Sequence, residues 1–164
     1  MLLVSDANIL IDLIEGRVVA EFLSLPDEIA TPDLLFEEEL ADHHGELLGM
    51  GLNLAELSGD QIQRAEELVG NHPKASRNDC LALTLAETEN CTLLTGDRAL
   101  RQAADALRVE IHGTIWCVQR MIDSGRITPV QAREAYRRMR LGNSRLPWDE
   151  VNAQLAQYGL ELPR

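Results

Sequence analysis

Short apolar segments alternate with amphipathic helical patterns along the first two thirds of this chain of 164 residues. Runs with the length and composition of β-strands lie at 2–5, 28–31, 52–56, 92–95 and 109–111. Helical periodicity occupies the intervals, at 7–15, 18–25, 33–48, 60–70, 77–89 and 98–107. Because parallel strands need crossover connections, which are usually helices, this alternation predicts an α/β fold, a three-layer α/β/α sandwich with a central parallel sheet.

The pattern changes after Gly113, where only helices are predicted. They cover 115–123, 129–140 and 148–158, and a turn-rich segment at 142–147 separates the last two. A tail of this size is too short to bury a core of its own. We therefore divide the chain into a main domain at 1–116 and a helical extension at 117–164, which packs on the domain or on a second subunit.

Acidic residues stand where several of the predicted elements begin or end. Asp6 follows the first strand and Asp97 follows the fourth, and in open parallel sheets ligands bind outside the carboxyl ends of the strands. Asp79 opens a predicted helix, and glutamates 37–39 form part of another. Carboxylates gathered from these segments would repel one another, so the pattern predicts a divalent cation between them.

Each of these acids also has a simpler interpretation. Asp6 and Asp97 are suited to cap the helices that follow them, and Asp79 stands three residues after Ser76, at the spacing of a capping box. The glutamates at 37–39 point in directions about 100° apart, as on a solvated helix face. Both interpretations stay open, and periodicity does not select one glutamate.

Polar neighbours accompany two of the acids. Asn8 lies two residues after Asp6, and Thr95 lies two residues before Asp97. Side chains of this kind can hydrogen-bond to a carboxylate and fix its orientation toward a metal ion. We therefore include Asn8 and Thr95 as supporting residues of the predicted site.

The net charge of −12 is unevenly distributed. Residues 1–116 carry 22 acidic and 7 basic side chains, whereas residues 117–164 carry 5 acidic and 8 basic ones. An acidic main domain repels polyanions, which disfavours a protein that coats nucleic acid but leaves metal-assisted cleavage open.

One predicted helix of the extension carries arginines on a single face. Arg133, Arg137 and Arg140 follow one another at i, i+4 and i+3 spacing. They form either a patch that contacts RNA phosphates or a solvated face paired with Glu134. Both interpretations stay open.

Several other kinds of site lack support in the sequence. It contains no glycine-rich phosphate loop with its lysine, no nucleophile elbow and no Cys-x-x-Cys pair. Three cysteines without such pairing favour a reducing compartment, and no segment approaches the roughly 20 apolar residues of a membrane span. We predict a soluble cytoplasmic protein.

The segments around the four acidic positions resemble the motifs of the PIN domain family. They are VSDANILI at 4–11, TPDLLFEEEL at 31–40, NDCLAL at 78–83 and LLTGDRAL at 93–100. Their order and spacing agree with the family over residues 1 to about 113. The helical continuation, with GNSRLP at 142–147, looks like that of prokaryotic PIN-like proteins rather than that of the shorter toxin nucleases.

The resemblance implies a nuclease that hydrolyses RNA phosphodiester bonds with Mg²⁺ or Mn²⁺. Its implied partners are an RNA substrate and, as for many toxins of toxin–antitoxin pairs, a small antitoxin protein; we also predict a homodimer. A PIN-fold binding or scaffold protein without turnover is the alternative.

The resemblance also assigns the acids that bind metal and act in catalysis, namely Asp6, Glu38, Asp79 and Asp97. In the family the second acid usually lies six residues after the proline that opens its helix, which here leads from Pro32 to Glu38. Glu39 is the alternate, because it precedes an aliphatic residue as the family's acid often does.

Overall fold

The computed structural model describes residues 1–163, which form one five-stranded sheet with helices on both faces. The strands are β1 Leu2–Ser5, β2 Glu28–Pro32, β3 Asn53–Ala55, β4 Thr92–Leu94 and β5 Ile111–His112. All neighbouring pairs are parallel, in the order β3-β2-β1-β4-β5. The predicted α/β/α class is confirmed.

The central strands β1 and β4 are buried on both faces of the sheet. Leu3 and Val4 of β1 and Leu93 and Leu94 of β4 have no exposed surface, as expected for apolar strands covered by helices. From β1 the chain crosses to β2 on one side and later returns to β4 on the other. The carboxyl ends of β1 and β4 therefore form a topological switch point, where sheets of this kind bind ligands.

Ten α-helices surround the sheet within the described residues. They are α1 Ala7–Glu15, α2 Val19–Leu23, α3 Asp33–Glu39, α4 Ala41–His44, α5 Gly59–Asn71, α6 Arg77–Glu89, α7 Arg98–Ala106, α8 Thr114–Asp123, α9 Pro129–Leu141 and α10 Trp148–Ala156. Polar N-caps fix several helix starts. Ser58 and Thr128 form complete capping boxes, and the Ser76 hydroxyl accepts a hydrogen bond from the Asp79 N–H.

Two predicted element boundaries are wrong. The single helix predicted at 33–48 breaks at Leu40, whose φ of −124° leaves the helical range while its side chain turns into the core. A 3₁₀ turn, Gly45–Leu47, follows α4. The last strand begins at Ile111 rather than at 109, because Arg108 adopts a left-handed φ of 57° and the Val109 N–H is used to close α7 on the Ala104 carbonyl.

The three C-terminal helices share the core of the sheet domain. α9 packs on α1, α8 packs on α2, and α10 packs on α8 and α9. Tyr136 of α9 is fully buried and donates its hydroxyl hydrogen to the Gln154 side chain of α10. None of the helices within residues 1–163 combines the length and the apolar character needed to cross a bilayer.

Candidate active site

Asp6 and Asp97 stand side by side at the switch point as helix N-caps. Asp6 Oδ1 accepts from the Ile9 N–H at 2.9 Å, and the Asp6 N–H donates to the Leu94 carbonyl at the end of β4 at 3.0 Å. Asp97 Oδ1 accepts from the Leu100 N–H at 2.8 Å. The capping interpretation is therefore correct for both residues, and in each it uses only one carboxylate oxygen.

The second carboxylate oxygen of Asp6 accepts no hydrogen bond in suitable geometry, although the Thr95 hydroxyl lies close enough to the carboxyl group to lower its pKa. The residue is 1% exposed, and Oδ2 is buried without a hydrogen bond in suitable geometry from any described residue. Most buried polar atoms in proteins are hydrogen-bonded, because leaving one unpaired costs free energy. This atom lies at a position where open parallel sheets bind ligands.

The pKa values link the acids to one another. Burial raises the pKa of Asp6 from 3.8 to about 7, and the charges of Asp79 and Asp12 add to the rise, while the Thr95 hydroxyl and the Ile9 N–H lower it. Burial also raises the pKa of Asp79, with a further contribution from the charge of Asp97. The structure thus brings Asp79 close enough to Asp6 to raise the pKa of Asp6, and Asp97 close enough to Asp79 to raise the pKa of Asp79.

Glutamates from α3 approach the start of α6. Glu38 Oε2 accepts from the Asn78 side-chain amide at 2.8 Å. The pKa of Glu39 is raised by burial and then by the charge of Asp79. Glu38 therefore contacts the residue that precedes Asp79. Glu39 lies close enough for the charge of Asp79 to raise its pKa, and the Asn78 side chain lowers that pKa.

The two supporting residues have different positions. Thr95 is buried, its Oγ1 accepts from the Asp97 N–H at 3.1 Å, and its hydroxyl lowers the pKa of Asp6, so it contacts both strand-end acids. Asn8 is exposed and lines a cavity together with Asp97. Its part in orienting a carboxylate stays a prediction.

The fold and this geometry agree with a comparison against known families. A family model described as a PIN domain matches residues 2–159. The chain belongs to the PIN domain family. The matched region includes α8, α9 and α10, which places the C-terminal helices inside the family match rather than outside it. No curated protein matches this chain.

PIN domains are generally nucleases and typically use divalent metals. Within residues 1–163, no three acidic, histidine or cysteine side chains form a ready-made metal-binding group. The donors nevertheless fit hydrated Mg²⁺, which keeps several of its waters and takes only one or two protein carboxylates directly. The unpartnered Oδ2 of Asp6 is an oxygen of the required kind.

Sequence reasoning missed two residues that border this PIN-domain site. Asn78 holds Glu38 and immediately precedes Asp79. Asp12 lies on α1, its Oδ2 accepts from the Thr114 hydroxyl at 3.0 Å, and its charge raises the pKa of Asp6. The position of Asp12 within the apolar run from Ile9 to Ile14 was a signal, because an acid in such a run is half-buried and needs polar partners from other parts of the chain.

The arginine face of α9 makes contacts within the protein. Arg137 donates from Nε to Glu134 at 2.9 Å, and Arg138 lies within 3.5 Å of the same carboxylate. Arg140 donates to the Pro163 carbonyl and lies over the Trp148 ring. A role for Arg133, Arg137 and Arg140 in RNA binding stays a prediction.

Proposed function

We propose that this PIN-domain protein is a divalent-metal-dependent endoribonuclease. The observation that carries the proposal is the buried Oδ2 of Asp6 at the switch point, which accepts no hydrogen bond in suitable geometry and lies in the field of Asp79, whose own pKa is raised in part by the charge of Asp97. A structural cap needs only the Oδ1 interaction. Crowded carboxylates that raise one another's pKa are typical of functional sites, and a bound cation offsets their repulsion.

In this proposal Asp6 and Asp97 hold Mg²⁺ or Mn²⁺ with the oxygens that capping leaves free. Asp79 and a glutamate of α3, Glu38 or Glu39, complete the acidic site, and Asn78 fixes the position of Glu38. When bound, the metal would activate water and neutralise charge that develops on the phosphate. Thr95 keeps the two strand-end acids in register by contacting both.

The test is cleavage of mixed RNA by the purified protein in Mg²⁺ or Mn²⁺ and in chelator. We expect metal-dependent cleavage that Asp6→Asn and Asp97→Asn each abolish without changing the far-UV circular dichroism. Asp105→Asn removes the same charge from an exposed position on α7 and is the matched control. An Asp6→Asn variant with full activity would refute the proposal, and a wild-type protein that binds RNA without cutting it would favour the scaffold alternative.

For the biological setting we propose a cytoplasmic toxin restrained by a small antitoxin, and a homodimer as the working form. This rests on the resemblance of residues 1 to about 113 to a family that includes the toxin nucleases of toxin–antitoxin pairs. Induced expression should arrest growth for the wild-type chain but not for Asp6→Asn, and light scattering of the purified protein should give the mass of a dimer. Growth unaffected by the active enzyme would argue against the toxin role.

A further inference from the structure

A cleft runs from the acidic site toward the C-terminal helices. A cavity of about 740 Å³ is bordered by the first turns of α7 and α8, by the segment 142–147 and by α10. A second cavity of about 520 Å³ includes Asp97 and shares Asp12, Gly96, Arg98 and Arg145 with the first. The two cavities therefore form one surface depression that begins at Asp97, one of the candidate catalytic acids.

Three arginines line this cleft: Arg98 and Arg101 from α7, and Arg145 from the segment 142–147. All three are exposed, and within residues 1–163 none has a carboxylate oxygen within the 4.0 Å of an ion pair. By contrast, Arg64 of α5 and Arg77 of α6 are each paired with a glutamate. The cleft concentrates unpaired positive charge in an otherwise acidic protein.

The placement of these arginines does not stabilise the fold. Arg98 and Arg101 lie in the first turn of α7 and just after it, where the helix dipole disfavours cations. Four acids also border the joined cavities: Asp12, Glu15, Asp97 and Glu150. Asp12 accepts from the Thr114 hydroxyl and Asp97 caps α7, so both of these carboxylates already have partners within the protein. An anionic ligand would turn an unfavourable arrangement of three guanidinium groups into a favourable one.

We propose that this cleft, named here the arginine cleft, binds single-stranded RNA on one side of the scissile bond, with Arg98, Arg101 and Arg145 on successive phosphates. The inference rests on the proposed function. The volume lies within the roughly 300–1,000 Å³ typical of small-molecule sites, which suits unpaired nucleotides. Gln157 also lines the cleft and offers its side-chain amide to base edges, which are accessible only in a single strand.

Binding without turnover tests this assignment separately from catalysis. A fluorescein-labelled 12-nucleotide oligouridylate is titrated with the full chain in chelator, and anisotropy is followed across a salt series. R98Q/R101Q/R145Q should weaken binding by about tenfold or more at low salt and reduce the salt slope by about 2, because each single-strand phosphate contact contributes ~0.7. The control R17Q/R108Q/R126Q removes three exposed arginines that do not line the cleft, has the same change in charge and should stay within about twofold of wild type.

The outcomes separate the alternatives. Equal losses in R98Q/R101Q/R145Q and in the control would reduce the effect to net charge. A loss in R133Q/R137Q/R140Q without a loss in R98Q/R101Q/R145Q would assign the strand to α9. Either result overturns the arginine cleft, as does undetectable binding by wild type. A 4-thiouridine oligonucleotide should also crosslink to peptides containing 98–101 or 145 in the wild-type protein. This test does not depend on whether the variants fold. Binding that follows these predictions in a protein that never cleaves RNA would refute the nuclease and leave the cleft standing.

Discussion

Thr114 donates its hydroxyl hydrogen to Asp12 Oδ2 at 3.0 Å, although 102 positions of sequence separate them. The hydrogen bond joins α1, which starts at the Asp6 cap, to the first turn of α8. The Ser144 hydroxyl also lies close enough to lower the pKa of Asp12, whereas burial raises it. Asp12 therefore connects three elements that border the arginine cleft.

Thr114→Val should lower the free energy of unfolding by about 1–2 kcal/mol, because it leaves a half-buried carboxylate without one of its donors. Thr114→Ser keeps the hydroxyl and is the matched control, with a smaller loss. Urea denaturation measures both. If Val and Ser were equally stable, the hydrogen bond between Thr114 and Asp12 would contribute nothing to the free energy of unfolding.

The stability of the metal-free protein should fall as pH rises from about 5 to 8. The pKa of Asp6 is about 7 in the folded chain, compared with an ordinary value of 3.8, so the folded protein holds the proton more tightly than the unfolded chain does. The contribution of that proton to the free energy of unfolding is complete below pH 3.8 and is lost as the pH rises through 7. Asp12, Glu39 and Asp79 have pKa values raised by burial and act in the same direction. Thermal melting in chelator across this range measures the slope.

Asp6→Asn is the control for that slope, because asparagine keeps the cap and cannot titrate. The variant should lose a large part of the pH dependence between about 5 and 8. An unchanged slope in Asp6→Asn would show that Asp6 is already ionised in the metal-free protein, contrary to the effect of its burial.

The elements around the switch point could be predicted from the sequence for local reasons. β1, α1 and α6 have the predicted bounds, because apolar runs, Asp6 and Ser76 supply strand and cap signals within a few residues. The break at Leu40 could not be predicted, because it depends on a buried side chain that turns into a core formed by distant segments. Local periodicity does not contain that information.

The acids of the site could be listed from the sequence, but their environments could not. Capping accounts for one oxygen of Asp6, and only the packed structure shows that the other is buried and unpaired. The same holds for Arg98 and Arg145, which lie 47 positions apart and meet only because the segment 142–147 folds back over the start of α7. Contacts of that range require the tertiary structure.

Mg²⁺ or Mn²⁺ should raise the melting temperature through binding to the folded state. Asp97→Asn should raise the melting temperature in chelator, because it removes the charge that raises the pKa of Asp79, and it should remove most of the metal-induced shift. Asparagine caps α7 as well as aspartate does, so the cap itself predicts no change. Asp105→Asn is the control and should show the wild-type shift in melting temperature with Mg²⁺. If Asp97→Asn showed that same shift, Asp97 would be a helix cap only.

The last prediction concerns which glutamate of α3 is the second acid. The sequence pattern selects Glu38, whereas the charge of Asp79 acts on the pKa of Glu39. Because a ligand that shares a cation with Asp79 must lie in its field, we expect Glu39→Gln to lower metal-dependent cleavage more than Glu38→Gln does, by roughly tenfold or more. Glu37→Gln, a change at an exposed position on the same helix, is the control.

Glu38 would then affect cleavage through Asn78, because Glu38 Oε2 accepts a hydrogen bond from the Asn78 side-chain amide at 2.8 Å. In that case Asn78→Ala and Glu38→Gln should cause similar, smaller losses, and the double variant should lose little more than either single one. Cleavage rates are measured at limiting and at saturating Mg²⁺. Saturating Mg²⁺ should restore the rate of a variant whose ligand is misplaced and binds the metal more weakly, but not the rate of a variant that has lost a ligand. A loss confined to Glu38→Gln would instead establish Glu38 as the second acid, as the sequence pattern predicts.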